Sequence, residues 1–332
     1  RDLAQDLLKV LRDPLIIDER PCRCNVSIGI AYANGPEFDA NQLLLHADTA
    51  LYRSKRNGKN RIAFFSADIQ KEIIRKKQLA DEVFAGLEES AFFPVYQLQF
   101  CARTLDVVGV EALARWNHPT RGVVAPDQFL ALAEELHVIS QIDRDILKKA
   151  HSDFDTWMAH GIAIPKLSVN ISANRLRNES LIQSVSSLCC HHDKISFELL
   201  ESIFLDDPDE RISENIDRLR DMGIQIEVDD FGTGHASIVA LMKLSPARLK
   251  IDRALVAPIT TSAAQRRMVK SIIDIGTVQG ISVTAEGVET MVHADILAEL
   301  GCDVLQGYAL ARPMPANDLL DYLSEASWRK QA

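Results

Sequence analysis

From residue 92 onward the sequence alternates short apolar runs with amphipathic helical patterns, and that alternation constrains the fold more than any single motif. Strands are read at 93–100, 107–116, 166–171, 194–200, 225–230, 248–251, 282–285 and 304–308. Helical patterns at 126–135, 143–158, 210–222, 265–278, 291–300 and 317–326 alternate with them. About eight strands in roughly 245 residues is the count and spacing of an α/β fold of the (β/α)8 barrel type. An open doubly wound sheet shares the alternation and is the alternative. The link at 103–106 is polar and too short for a parallel crossover, so the first two strands are expected to pair antiparallel.

A barrel carries its working side chains at the C-terminal ends of its strands. Polar residues stand there in order: Gln97, Glu111, Asn170, Glu198 with Glu201, Asp229 with Asp230, Lys250 with Asp252, Glu286 with Glu289, and Gln306. An ionised carboxylate at the edge of an apolar core is costly unless it is paired or holds a metal. One lysine is few for so many carboxylates, and divalent cations are the expected balance. The donors are carboxylate and amide oxygens without His or Cys, which suits hard ions such as Mg²⁺ or Mn²⁺ better than zinc. Asp229 and Asp230 would divide or bridge two such ions about 3.5–4 Å apart, the arrangement used for phosphoryl displacement. Lys250 would orient or stabilise an attacking hydroxide, and Glu286 would take the water's proton or complete the second ion's shell. A lone carboxylate at a strand end is ordinarily a helix cap or an ion pair. That reading is strong for Glu201 and Glu289, and Asp252 has Arg253 or Lys250 as simple partners. His118 reads as a turn histidine.

Composition narrows the function classes. The 37 basic and 47 acidic side chains leave a formal net charge of −10, which disfavours a surface for a nucleic-acid polymer but not a nucleotide substrate held through metals. No apolar run reaches the roughly 18 residues of a bilayer span and the N-terminus lacks a signal-peptide pattern, so a cytoplasmic setting without membrane contact is expected. The six cysteines, Cys22, Cys24, Cys101, Cys189, Cys190 and Cys302, show no C-x-x-C spacing and read as reduced thiols. Cys189, Cys190, His191 and His192 could be drawn as a zinc site, but adjacent residues point in different directions, and a helix end with its loop is preferred.

The first 65 residues read differently. A helix at 2–11, a strand at 24–32, a helix at 41–56 and a strand at 61–65 are too little for an independent domain. Leu43, Leu44, Ala47, Ala50 and Leu51 form one apolar face of the second helix, which Asn57 and Gly58 end. A charged helical segment at 70–89 follows as connector.

The motifs in order carry a resemblance. EALARW at 111–116, Asn170 in SVNIS, Glu198 and Glu201 in FELLES, DDFGTG at 229–234, LKID at 249–252, AEGVE at 285–289 and QGY at 306–308 resemble the EAL-domain family of cyclic di-GMP phosphodiesterases. The resemblance implies a modified TIM barrel with an antiparallel early strand over 91–328. It implies hydrolysis of cyclic di-GMP to linear pGpG by in-line attack of a water activated by two Mg²⁺ or Mn²⁺ ions. It makes Glu111, Asn170, Glu198, Asp229 and Asp230 metal ligands, and Lys250 and Glu286 the water-activating pair. Glu201 becomes the brace of the loop after DDFGTG, and Gln97, Leu113, Arg115, Asp252 and Gln306 contacts to substrate. Three neighbours depart from the family pattern: Leu98, Leu200, and His235 with Ala236 before Ser237. A receptor that binds cyclic di-GMP without turnover is the alternative, and homodimers are common in the family. The segments VSIGIA at 26–31, ADTALY at 47–52 and KNR at 59–61 resemble the C-terminal half of a GGDEF diguanylate cyclase domain over 1–66, with 67–90 the connecting helix. The motif naming that domain would precede residue 1, so no cyclase activity is expected of this chain. Upstream segments of a longer parent could attach it to a membrane.

Overall fold

The structure, a computed structural model, describes residues 2–12, 14–17, 20–22, 25–33, 39–56, 58–188, 191–204, 210–232, 234 and 238–325. Cys24, Asn57, Cys189, Cys190, Thr233, His235, Ala236, Ser237 and 326–328, all named above, lie outside the described residues. The chain divides into two compact units, Arg1–Glu82 and Val83–Ala332. No helix among the described residues is long and apolar enough to cross a membrane.

The first unit contains α1 (Asp2–Arg12), the antiparallel pair β1 (Leu15–Ile17) and β2 (Arg20–Cys22), then β3 (Ile28–Ile30), α2 (Ala40–Arg56) and β4 (Ile62–Phe64). β3 and β4 pair in parallel, and α2 lies directly on β3. Gly29 permits that approach, since a Cβ there would stand 2.2 Å from the Ala47 carbonyl oxygen. The division between units falls within α3 (Ala67–Glu88).

The second unit is the barrel. Its strands are β5 (Phe92–Cys101), β6 (Val107–His118), β7 (Gly122–Val124), β8 (Leu167–Asn170), β9 (Ile195–Leu200), β10 (Gln225–Phe231), β11 (Arg248–Ile251), β12 (Ser282–Ala285) and β13 (Val304–Leu305). Among the described residues eight of these close in the order β5-β13-β12-β11-β10-β9-β8-β6, with β6 returning to β5. β5 runs antiparallel to both neighbours, as the short link before β6 demands, and the other barrel pairs are parallel. β7 folds back on β6 as a hairpin. The last strand is shorter than 304–308 because the chain leaves it to bond the loop after β12: Val288 N donates to Gln306 O, and Ala309 N to Val288 O. Gly307 makes this crossing possible, as a Cβ there would stand 2.2 Å from Val288 O.

The helices are α4 (Leu130–Glu135), α5 (Ile139–Ala159), α6 (Ala173–Leu176), α7 (Ser180–Ser186), α8 (Glu210–Asp221), α9 (Ile238–Leu244), α10 (Arg253–Val256), α11 (Ala263–Gln279), α12 (Met291–Leu300) and α13 (Ala316–Glu325). α5 shows why they pack. Ile139, Ile142, Ile146, Ala150, Phe154 and Trp157 recur at helical spacing and are buried, and the helix lies on β5 and β8. Each such large side chain contributes about 1.5–3 kcal/mol on burial. Ser172, Ser262 and Thr290 cap α6, α11 and α12 by accepting from the backbone three residues on. Among the described residues Cys22, Cys101 and Cys302 are free thiols.

Candidate active site

Parallel strands aim their C-terminal ends at one mouth, and alternation along each strand turns every second side chain inward. Lys250 on β11 is fully buried at the centre of that mouth. Its Nζ stands 2.7 Å from Glu198 Oε2, 2.7 Å from Glu286 Oε1, 3.2 Å from Glu111 Oε2 and 3.2 Å from Asp229 Oδ1. Asn170 Nδ2 donates to Glu111 Oε1 at 2.8 Å, and Gln306 Nε2 donates to Glu111 Oε2 at 2.6 Å and to Gln97 Oε1 at 3.2 Å. Eight of the sequence-predicted residues thus share one cluster.

Asp230 joins by a backbone irregularity. Adjacent residues of a regular strand face opposite sides, so Asp229 and Asp230 could not both serve one site. The register between β10 and β11 shifts between Val228 and Phe231, and Asp230 takes the left-handed conformation with φ 55°. Such a bulge re-aims a side chain. Asp229, Asp230 and Glu286 then bring carboxylate oxygens within 4.8 Å of one another.

The remaining residues lie around this cluster. Asp252 caps α10, accepting from Ala254 N at 2.8 Å, and its charge also bears on Asp230. Glu201 Oε2 accepts from Gly232 N at 2.7 Å and from Gly234 N at 3.3 Å, and a Cβ at residue 234 would stand 2.7 Å from Glu201 Oε1. Leu113 and Arg115 follow Glu111 at two-residue intervals on β6; Arg115 Nη1 donates to Ala114 O. Burial lowers the Arg115 pKa against the opposing charges of Tyr308, Glu111 and Asp127. Glu289 is exposed.

Burial and like charge divide the carboxylates. Glu286 is pushed up to about 8, by burial first, with Asp229 and Glu111 adding to it against Lys250. Glu198 is raised well above the usual range by burial and by the Glu111 charge. Burial also works against ionised Glu111, but Lys250 and the hydrogen bonds from Glu198, Gln306 and Asn170 outweigh it and hold the group below its ordinary range. Asp230 rises to about 6 through burial and then Asp229 and Asp252. Burial works against charged Lys250, yet Asp229, Glu111, Glu198 and Glu286 together raise its pKa well above the ordinary value.

The residues fit divalent cations. Glu198 Oε1 is buried without a hydrogen bond, Asp229 Oδ1 has the Lys250 ammonium beside it but no hydrogen bond, and every donor is a hard oxygen. Sequence reasoning missed the supports beneath. Asp143 on α5 accepts from Ser172 N at 3.0 Å and Ser172 Oγ at 2.6 Å, pinning the turn two residues past Asn170. Gln99, Glu227 and Arg248 are also buried inside the barrel. Each lies two residues from a predicted site residue, and the strand period alone points to them.

Comparison with known proteins agrees with this geometry. The EAL domain model matches residues 80–313, and the model described as diguanylate cyclase, GGDEF domain, matches residues 1–61. The bifunctional diguanylate cyclase/cyclic di-GMP phosphodiesterase MucR of Pseudomonas aeruginosa is 34% identical over 322 residues, 96% of this chain and 47% of that protein. The oxygen sensor protein DosP of Escherichia coli is 34% identical over 326 residues, 97% of this chain and 40% of its own length. The chain thus spans about half the length of the curated relatives it matches. Among solved structures, the MucR phosphodiesterase in complex with c-di-GMP superposes with a TM-score of 0.69 at 34% identity, covering 73% of this chain and 99% of that one. The EAL enzyme Bd1971, in its cAMP and cyclic-di-GMP bound form, gives 0.71 at 26% identity, covering 86% and 76%. On these matches and this barrel, the chain belongs to the EAL domain family, preceded by part of a GGDEF domain.

Proposed function

We propose that the barrel hydrolyses one phosphodiester bond of cyclic di-GMP, giving linear pGpG by in-line attack of water with two Mg²⁺ or Mn²⁺ ions. The observation that carries this is the convergence of Glu111, Asn170, Glu198, Asp229 and Asp230 around buried Lys250, with Glu198 Oε1 buried and without a hydrogen bond. Two relatives bear on the substrate: MucR, and NbdA of the same species, named as a cyclic di-GMP phosphodiesterase and 31% identical over 329 residues.

Glu111, Asn170, Glu198 and Asp229 would hold one ion, and Asp229 with Asp230 the second. When bound, such ions stabilise charge on the phosphoryl oxygens and make water a better nucleophile. Glu286, raised to about 8 and paired through Oε1 with Lys250, accepts a proton from the attacking water once its own proton has left. Lys250 holds Glu286 and Glu198 in place. Arg115 contacts a substrate phosphate, Gln97, Leu113, Asp252 and Gln306 complete the contacts to substrate, and Glu201 keeps the backbone at Gly232 and Gly234 in position. Homodimerisation belongs to the same proposal and is read by light scattering.

The test is incubation with cyclic di-GMP and Mg²⁺ or Mn²⁺, followed by chromatography for pGpG. Glu111→Ala is expected to abolish turnover; near-normal rates in that variant would overturn the site assignment. Tight binding without product under both metals would indicate a receptor instead.

A further inference from the structure

Beneath the mouth lies a second polar layer. Ser168, Ser196, Glu227, Arg248 and Thr284 each stand two residues before Asn170, Glu198, Asp229, Lys250 and Glu286, and all are buried. On antiparallel β5 the equivalent residue follows Gln97 by two: Gln99, also buried, which pairs with Gly109 as Gln97 pairs with Glu111. Barrel interiors at this depth ordinarily hold branched apolar side chains. Polar groups buried here cost free energy unless hydrogen bonds offset it.

The bonds form a directed chain. Arg248 Nη1 donates to Gln99 Oε1 at 3.0 Å, Gln99 Nε2 donates to Gln306 Oε1 at 3.1 Å, and Gln306 Nε2 donates to Glu111 Oε2 at 2.6 Å. Glu227 Oε1 lies 3.6 Å from Arg248 Nη1 and 4.0 Å from Lys166 Nζ, so the guanidinium has its own counter-charge. Space is made for the chain as well. A Cβ at residue 109 would stand 2.8 Å from Gln99 Oε1, the atom that accepts from Arg248.

A guanidinium only donates, an ionised carboxylate only accepts, and an amide does both from opposite ends. With Arg248 at one end of the chain, each amide has a single orientation that avoids donor facing donor. We infer that Arg248 is a positioning residue: through Gln99 and Gln306 it fixes the hydrogen bond that orients the Glu111 carboxylate. The inference rests on the reading of Glu111 as a metal ligand. Glu111 dictates the amide orientations only while its lone pairs stay free. Gln97, whose Nε2 donates to Ala311 O at 3.0 Å, accepts from Gln306 Nε2 and favours the same orientation, and Arg248 fixes Gln99 from below, so the partner of the carboxylate stays in place when Glu111 turns to a cation.

Arg248→Met removes the donors at similar length. The expected result is Mn²⁺ affinity, measured by calorimetry, weaker by about 10- to 100-fold, the usual effect of losing an outer partner of a metal ligand. In turnover, kcat at limiting Mn²⁺ falls in parallel and recovers as Mn²⁺ is raised, while KM for cyclic di-GMP at saturating Mn²⁺ changes less than about twofold. Adding Gln99→Leu to Arg248→Met is expected to cost little more, because both sit on one chain. Gly109→Ala keeps every charge and intrudes on Gln99, and it carries the same expected loss should Arg248→Met fail to fold. Unchanged Mn²⁺ affinity in a folded Arg248→Met or Gly109→Ala protein overturns the inference, as does wild-type protein that binds no Mn²⁺. Wild-type protein that binds Mn²⁺ but forms no pGpG sinks the hydrolase reading alone, and the affinities still decide this one.

Discussion

Replacing Lys250 by methionine isolates the electrostatic core of the site. The ammonium is fully buried and stands within 3.2 Å of four carboxylates, so the substitution leaves Glu111, Glu198, Asp229 and Glu286 facing one another without a cation. Removing one partner of a buried ion pair destabilises by about 3–5 kcal/mol. The loss is expected to depend on pH. Glu286 already has a folded pKa of about 8, above its ordinary value, so it favours the folded state when protonated and disfavours it increasingly as pH rises from about 4.5 towards 8. Without Lys250 its pKa and that of Glu198 rise further, and ionising them costs more. In chelator, Lys250→Met is therefore expected to lose part of that amount around pH 4.5, where the pairing with Glu111 is forfeited, and the full amount by pH 8. Urea unfolding followed by tryptophan fluorescence reads this, with Trp116 and Trp157 both buried in the barrel unit. A stability difference of the same size at both pH values, or none at pH 8, would refute the reasoning.

Three further outcomes are expected. Glu201→Ala deprives Gly232 N and Gly234 N of their acceptor and is expected to lower turnover about 10- to 100-fold through misplaced backbone, while the urea midpoint moves little. Asp143 is buried and pushed up to about 6, by burial first, so ionising it works against folding between about pH 4 and pH 6. Asp143→Asn mimics the neutral acid, and the stability difference between the two proteins is expected to shift in its favour by about 2 kcal/mol from pH 4 to pH 7; a difference independent of pH would remove the buried charge from the account. Calcium is expected to compete with Mg²⁺ and suppress pGpG formation, because its larger, flexible shell orients the reacting groups poorly; rates unchanged at equal calcium would contradict that.

Patterns of period two and period three to four made most of the barrel legible. The eight strands needed only runs of four to ten residues, and the antiparallel β5 followed from the length of the link to β6. Of the three-residue strands, β3 and β4 lie inside longer strand-like runs and are legible, whereas β1, β2 with Pro21 and β7 opening on Gly122 are not. The shortening of β13 depends on backbone bonds to Val288, a tertiary contact that no local window contains. The candidate site was readable as far as strand ends carry polar groups. That adjacent Asp229 and Asp230 both reach it was not, since it needs a bulge set by the register with β11. Gln99, Glu227 and Arg248 were within reach of the same alternation rule, applied one repeat further down each strand.

From sequence alone, one lysine is too little for the carboxylates at the mouth, and divalent cations are the expected balance. Burial raises the pKa of Glu198 and Glu286, while Lys250 holds that of Glu111 low. A neutral carboxylic acid costs far less to bury than a carboxylate, so the cluster can persist in a folded barrel by holding hydrogen ions. Metal ligation requires those ligands deprotonated, so protons and metal compete for the same oxygens. Lys250 stands between the two states, close enough to four carboxylates to keep the cluster from flying apart while protons leave. The ammonium and the deeper Arg248 therefore do different work: one balances the carboxylates' charge, the other fixes the direction of the hydrogen bonds that aim Glu111.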